Sequence, residues 1–251
     1  MNPAVMRFSC SAIVVLLLAG GCSKPSAADA AAAPVRVFAA ASLTAPFTAI
    51  ARAFEQQQGS KVELHFAGSP QLVLQLREGA AADVFAAADQ PNMQKVEDAG
   101  TTQAPVEFAR NQLAIAVAKG NPKGVRGLAD LARRDLKVAL CGPEVPAGKY
   151  ARQALAKQQL TVASVSDEPS VKAVFAKVQL GEVDAGIVYA TDVRGADVEA
   201  VAIPPEQNVV ASYPIAVLSS GTNRAGGEAF VAFVRSAAGR AILAEHGFAL
   251  P

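Results

Sequence analysis

The chain has 251 residues, of which 51% are hydrophobic and 18% are charged. Lysine and arginine together number 23 and aspartate and glutamate 22, so the formal net charge is +1. A chain this close to neutrality lacks the basic surface that nucleic-acid binding requires, and we expect no nucleic-acid partner. Cys10 and Cys22 fall in the leader region, which leaves Cys141 without a partner for an internal disulfide.

The first segment of the chain has the features of an export signal. Arg7 precedes the apolar run Phe8–Leu18, which is too short for a permanent membrane span. The run ends in Leu18-Ala19-Gly20-Gly21-Cys22. This ending resembles the lipobox of bacterial lipoproteins, which implies cleavage before Cys22 and lipidation of its thiol. The alternative is a plain secretory signal that is cleaved further on, within 27–33.

Either interpretation predicts a signal peptide over 1–21 and a location in the periplasm. Residues 22–33 are rich in Ser, Ala and Pro and have no periodic apolar pattern, so they predict a flexible tether. The lipobox interpretation adds a membrane anchor through Cys22. No later segment is long and apolar enough to cross a membrane.

The folded part begins with a strand, a small-residue turn and a helix. The strand is predicted from Val35, Val37 and Phe38. The run Ala39-Ala40-Ala41 leaves room for a ligand to approach the backbone, and Ser42 or Thr44 is predicted as the helix N-cap. An apolar stripe with helical spacing follows, formed by Phe47, Ile50, Ala51 and Phe54. Such a helix start presents unpaired N–H groups, which suit an anion.

The same alternation of strand and helix continues along the chain. Ser69 is predicted as an N-cap, with Pro70 as the first helical residue. The predicted strands are Val62–Phe66, Asp83–Ala87, Leu113–Ala118, Lys137–Leu140, Thr161–Val165, Ala185–Tyr189, Val198–Ile203 and Tyr213–Leu218. The later helices are predicted at Pro91–Ala99, Leu128–Leu131, from about Lys149, from Val171 to Gly181, and at Glu228–Arg235 and Gly239–His246. The pattern predicts an α/β fold with mostly parallel sheets.

A strand followed directly by the start of a helix is predicted at four places, Ser42, Ser69, Ala147 and Val171. Tyr189 is the last residue of another predicted strand. In open α/β sheets, ligands bind beyond the carboxyl ends of the strands, where these turns lie. Four helix starts with hydroxyl groups make a neutral site rich in hydrogen-bond donors. Such a site holds a fully ionised anion without a counter-charge.

Signatures of an enzyme are weak. Ser69 lacks the second glycine of a nucleophile elbow, and Cys141 has no histidine near it in sequence. His65 and His246 lack metal-ligand spacing, so we expect no catalytic residue, no metal site and no cofactor. An exported hydrolase that uses Ser69 or Cys141 is kept as the alternative from another class.

Several motifs together resemble the periplasmic molybdate-binding proteins, the ModA family. The resemblance runs from about Val35 to the C-terminus. Its motifs, in chain order, are Val37-Phe38-Ala39-Ala40-Ala41-Ser42-Leu43-Thr44, Phe66-Ala67-Gly68-Ser69, Ala82-Asp83-Val84-Phe85, Ala88-Asp89-Gln90, Pro143-Glu144-Val145-Pro146-Ala147-Gly148-Lys149-Tyr150-Ala151, Gly186-Ile187-Val188-Tyr189 and Tyr213-Pro214-Ile215-Ala216-Val217. Three positions depart from the family pattern: Gly68 and Pro70 replace serines, Cys141 replaces a polar or small residue, and Val171 follows Pro169-Ser170.

The resemblance implies a two-lobed type II periplasmic binding protein that closes on molybdate or tungstate. It implies 34–110 plus 213–251 as lobe 1, 111–212 as lobe 2, and a hinge where the chain crosses between them. The implied partner is the membrane permease of an ABC importer, with the binding protein itself a monomer. The implied oxyanion contacts are Ser42 and Ser69 by hydroxyl and N–H, Ala147 and Val171 by N–H, and Tyr189 by its phenol, so that molybdenum is bound only as the oxyanion. Donor type does not fix cavity size, so another small oxyanion, such as sulfate or phosphate, is the nearest alternative.

Overall fold

The computed structural model describes residues 1, 33–100, 102, 104–195 and 197–251. The strands are β1 (Val35–Ala40), β2 (Val62–Ala67), β3 (Val84–Ala86), β4 (Val106–Val117), β5 (Val138–Cys141), β6 (Ser164–Glu168), β7 (Ala185–Tyr189), β8 (Glu199–Ala202) and β9 (Val210–Val217). The helices are α1 (Thr44–Gln58), α2 (Ser69–Arg77), α3 (Gln90–Asp98), α4 (Pro146–Lys157), α5 (Val171–Gln179), α6 (Arg224–Arg235) and α7 (Ala237–Glu245). Short 3₁₀ turns lie at Ala41–Leu43 and Leu128–Ala132. No helix within the described ranges is long and apolar enough to cross a membrane.

One continuous sheet carries the fold, in the order β2-β1-β3-β9-β4-β7-β5-β6, with β8 paired to β4. The long strand β4 joins its two halves. Up to Gln112, β4 pairs with β9, and from Leu113 onward it pairs with β7. The change of partner lies close to the crossing predicted at residues 110 and 111.

Strand direction follows the connections. β1 pairs in parallel with β2 and β3, and β5 pairs in parallel with β6 and β7, because a helix separates the consecutive strands of each group. β4 and β9 run antiparallel to each other and to their other partners. The predicted α/β class is confirmed, with parallel pairing inside each βαβ group and antiparallel pairing between the groups.

The apolar stripe predicted on α1 is confirmed. Phe47, Ile50, Ala51 and Phe54 are all buried. Phe47 and Phe54 pack edge-on against Phe230 of α6, with ring centroids 6.0 and 5.4 Å apart. This aromatic packing anchors the C-terminal helices to the first βα unit, and aromatic pairs of this geometry stabilise beyond their buried area.

Three predicted strand boundaries are wrong. β4 begins at Val106 rather than Leu113, because polar residues interrupt its apolar pattern where it pairs with β9. β9 for the same reason begins at Val210 rather than Tyr213. β6 covers Ser164–Glu168 rather than 161–165, since its pairing with β5 defines this half-exposed polar strand.

The predicted start of α4 at Lys149 is also wrong, since the helix begins at Pro146. Proline fits the first helical position because its φ is already helical and it needs no N–H partner there. Gly148, two residues on, is required by close packing. A Cβ at this position would meet the carbonyl oxygens of Gly142 and Cys141 at 2.2 and 2.3 Å.

From residue 33 onward the described residues form one compact unit. The division into lobe 1 and lobe 2 therefore stays a prediction. The signal peptide at 1–21, the tether at 22–33 and the lipidation site Cys22 lie outside the described residues, apart from Met1 and Ala33 at their ends.

Candidate functional site

All five residues predicted to contact the ligand line one cavity. The cavity lies beyond the carboxyl ends of both groups of parallel strands, so each wall is made by the residues that follow a strand. Its lining consists of Ala40, Ala41, Ser42, Gly68, Ser69, Ala88, Val145, Pro146, Ala147, Ser170, Val171 and Tyr189. The cavity is small, with a volume of about 10 Å³. That is room for about one water molecule.

Helix starts supply the main-chain donors. Ser69 and Val171 are the first residues of α2 and α5, and Ala147 is the second residue of α4. Ser42 lies in the 3₁₀ turn that leads into α1. N–H groups in a first helical turn have no acceptor within the helix, so these four remain available to a solute.

The predicted capping roles of Ser42, Thr44 and Ser69 are wrong. The 3₁₀ turn begins after Ala40, and α1 continues from it without a side-chain cap. Ser69 is already helical, and Gln71 Oε1 instead accepts the Gly68 N–H at 3.1 Å. The two serine hydroxyls are therefore not used to cap their own helices.

Both serine hydroxyls accept hydrogen bonds from the protein side. Ser42 Oγ accepts from Tyr213 Oη at 3.1 Å, and Ser69 Oγ accepts from the Ala88 N–H at 3.2 Å. A hydroxyl that accepts on one side keeps its own proton free for another acceptor. Since both serines are buried and line the cavity, their protons are available to a solute there.

Tyr189 brings a third hydroxyl to the cavity. The residue is 1% exposed, and its Oη makes no hydrogen bond of ordinary geometry with the described residues, although it lies near enough to the Tyr213 hydroxyl to interact with it. Burial raises the pKa of this phenol well above its ordinary value, so the group is a neutral donor at neutral pH. A buried hydroxyl without a partner costs about 1–3 kcal/mol, a cost that a bound acceptor removes.

The site is neutral. None of the lining residues named above carries a charge. The main-chain N–H groups and the hydroxyls around the cavity are donors, and each of the two serine oxygens already accepts one hydrogen bond from the protein. The arrangement suits a small solute that is rich in acceptors.

Tyr213 was missed by sequence reasoning as part of the site. It lies on β9, is fully buried, and packs edge-on against Tyr189 with ring centroids 5.8 Å apart. Its contact with Ser42 joins residues 171 positions apart, a distance that no local pattern reveals. The only signal in the sequence is a second tyrosine within a strand motif.

Tyr213→Phe is expected to weaken solute binding by about three- to tenfold, because the Ser42 hydroxyl then loses the donor that orients it. Ser42→Ala removes the hydroxyl itself and is expected to weaken binding at least as much. Isothermal titration of both single variants and the double variant measures the coupling. Losses that simply add in the double variant would show that Tyr213 does not act through Ser42.

The arrangement does not support a nucleophile. Cys141 is buried, and burial raises the pKa of its thiol far above the ordinary value. His65 pairs with Gln75 at 2.9 Å and His246 contacts the Ile242 carbonyl at 2.8 Å, so neither is placed beside Ser69 as a base. Within the described part of the chain, no cluster of His, Cys, Asp and Glu could hold a metal ion.

The fold and this cavity define a solute-binding protein. The sequence profile of the bacterial extracellular solute-binding proteins matches residues 35–249. The molybdate-binding protein ModA of Mycobacterium tuberculosis is 41% identical over an alignment 251 positions long, which covers 95% of this chain and 96% of that protein. The chain therefore belongs to the ModA family of bacterial extracellular solute-binding proteins.

Solved structures share the fold. The periplasmic molybdate-binding protein of Azotobacter vinelandii superimposes with a TM-score of 0.75 at 20% identity, over 86% of this chain and 99% of that one. The sulfate-binding protein SubI of Mycobacterium tuberculosis gives 0.74 at 21% identity, over 86% of each chain. The similarity to binding proteins with different named solutes means that the fold does not select the anion.

Proposed function

We propose that this chain captures molybdate outside the cytoplasm and delivers it to the membrane permease of an ABC importer. One observation carries the proposal. Five residues far apart in sequence, Ser42, Ser69, Ala147, Val171 and Tyr189, converge on one small neutral cavity that is lined with donors. Membership of the ModA family supports molybdate as the solute.

The donors suit a tetrahedral oxyanion in number and kind. A hydrogen bond to a charged group contributes about 1.5–3 kcal/mol. The site offers four N–H groups and three hydroxyls, and five to seven such bonds reach the roughly 8–12 kcal/mol of a micromolar-to-nanomolar site once association costs are included. Since the cavity has room for about one water molecule, its walls must separate slightly to admit the anion.

The hydrogen-bond directions disfavour hydrogen phosphate. That anion carries a proton, which needs an acceptor in the site. Each of the Ser42 and Ser69 oxygens already accepts one hydrogen bond, from Tyr213 and from the Ala88 N–H, and the Tyr189 hydroxyl is needed as a donor to the anion. An unpaired buried donor is costly, so a fully ionised oxyanion is favoured. Sulfate is also fully ionised, and only its smaller size separates it from molybdate.

The proposal has further parts, which concern the range of solutes, closure of the lobes and export. Tungstate has the shape and charge of molybdate and should bind as well. We infer that closure brings lobe 1, 34–110 plus 213–251, against lobe 2, 111–212, around the anion. We infer that the protein acts as a monomer without a cofactor, and without catalysis. Its signal peptide at 1–21 directs export, and Cys22 anchors it to a membrane.

Isothermal titration of the mature protein tests the proposal. Molybdate and tungstate are expected to bind one per chain with nanomolar-to-micromolar affinity. Sulfate is expected to bind at least about a hundredfold more weakly, and phosphate not measurably at neutral pH. Equal affinities for sulfate and molybdate would overturn the choice of solute, and no binding of any oxyanion would overturn the function.

A further inference from the structure

A buried carboxylate lies directly behind the anion cavity. Asp192 follows β7, and its side chain is only 1% exposed. Its Oδ2 accepts the main-chain N–H of Tyr189 at 3.1 Å. A negative charge held this close to a cavity for an anion opposes binding unless another group compensates it.

Lys172 is the compensating group. Its Nζ lies 2.8 Å from Asp192 Oδ1. Lys172 is the second residue of α5, next to Val171, whose N–H is one of the cavity donors. Its ammonium also lies 5.7 Å from the centre of the Phe175 ring. The ion pair therefore connects the two cavity elements of this wall, the start of α5 and the end of β7.

The charge of Asp192 reaches other groups around the cavity. Burial raises the pKa of Tyr213, and the Asp192 carboxylate raises it further. The same carboxylate adds to the raised pKa of Cys141, for which burial is again the larger cause. Tyr213 in turn donates to the Ser42 hydroxyl, which lines the cavity. The negative charge of Asp192 is therefore felt by groups that surround the place an anion would occupy.

We propose that Lys172 makes the cavity usable by an anion by neutralising Asp192 behind Tyr189. Lys172 is thus a charge-compensating residue and does not itself contact the solute, since none of the cavity lining belongs to it. The inference rests on the proposed function, because it needs an anionic solute. It adds the requirement that the charge of Asp192 be neutralised by a residue that does not belong to the hydrogen-bond donors of the cavity.

The test is titration of molybdate at pH 7 and again at about pH 8, because burial raises the pKa of the Asp192 carboxyl and a higher pH favours its charged form. Lys172→Gln is expected to weaken binding at least about tenfold, because it leaves Asp192 uncompensated. Lys172→Arg keeps the charge and should stay within about threefold of the wild type. The double variant Lys172→Gln/Asp192→Asn removes both charges and should recover most of the lost affinity.

Lys177→Gln is the matched control. Lys177 lies on the same helix and pairs with Glu168 at 2.7 Å, but neither residue lines the cavity. This variant loses the same charge and an ion pair of the same kind, and its affinity should change by less than about threefold. Thermal unfolding of each variant separates loss of folding from loss of binding.

Two outcomes would overturn the inference. If Lys172→Gln binds like Lys177→Gln, the charge behind the site does not matter. If the double variant is as weak as Lys172→Gln alone, then Lys172 acts by contact rather than by compensation. Failure of the wild-type protein to bind any oxyanion is a separate result, and it would count against the proposed function itself.

Discussion

Tyr189→Phe is expected to weaken molybdate binding by about ten- to a hundredfold and to leave the free protein at least as stable. The Tyr189 hydroxyl is buried and makes no hydrogen bond of ordinary geometry among the described residues, so the unliganded protein gains little stability from it. In the complex it donates to a charged acceptor, a bond worth about 1.5–3 kcal/mol. Titration calorimetry and thermal unfolding of the same variant measure the two effects.

Tyr150→Phe provides the control for this substitution. Tyr150 lies on α4 and is partly buried, but it does not line the cavity. Loss of the Tyr150 hydroxyl should change the affinity for molybdate by less than about threefold. A Tyr189→Phe variant with wild-type affinity would show that the phenol does not contact the solute. A variant that loses stability and affinity together would assign the hydroxyl a structural role.

Gly68→Ala is expected to weaken binding by about a hundredfold or more. A Cβ on Gly68 would lie 2.2 Å from the carbonyl oxygen of Pro169, far inside any real contact. Gly68 precedes α2 and Pro169 precedes α5, so the two residues belong to opposite walls of the cavity. Alanine would hold these walls apart and separate the donors that must meet around one anion.

The backbone at Gly68 has φ −61° and ψ 141°, which alanine adopts without strain. Gly68 lies in the proposed lobe 1 and Pro169 in the proposed lobe 2, so the clash arises only when the lobes close. The effect should therefore fall on binding, with little loss in the melting temperature of the open, free protein. Gly127→Ala is the control, because its φ of 177° is extended and its Cβ would meet no atom within 4 Å. Wild-type affinity in Gly68→Ala would contradict this prediction, because it would mean that the slight separation that admits the anion also leaves room for the Cβ.

The sequence predicts those parts of the fold that local chemistry determines. The α1 stripe from Phe47 to Phe54 follows from helical spacing, and β7 is found at its predicted bounds, Ala185–Tyr189, because it is short, apolar and buried. The bounds of a strand are predicted less well where the strand depends on its pairing partner. β6 is polar and half exposed, and it is a strand because it pairs with β5.

The sequence likewise predicts the residues of the candidate site but not their hydrogen-bond partners. The small residues and helix starts around Ser42 and Ser69 are visible in the sequence, and the structure brings them to one cavity. Their hydrogen-bond partners, Tyr213 and the Ala88 N–H, are set by the sheet order and could not be predicted from spacing. The ion pair behind Tyr189 likewise depends on how α5 packs against the end of β7.

The central claim is that donors from both walls hold one tetrahedral oxyanion between Ser42 and Tyr189. A crystal structure of the protein with molybdate, recorded where molybdenum scatters anomalously, tests it most directly. We expect a single molybdenum peak in this cavity, with its oxygens about 3 Å from the hydroxyls of Ser42, Ser69 and Tyr189 and from the N–H groups of Ala147 and Val171. A peak elsewhere, or an empty cavity at saturating molybdate, would contradict the account.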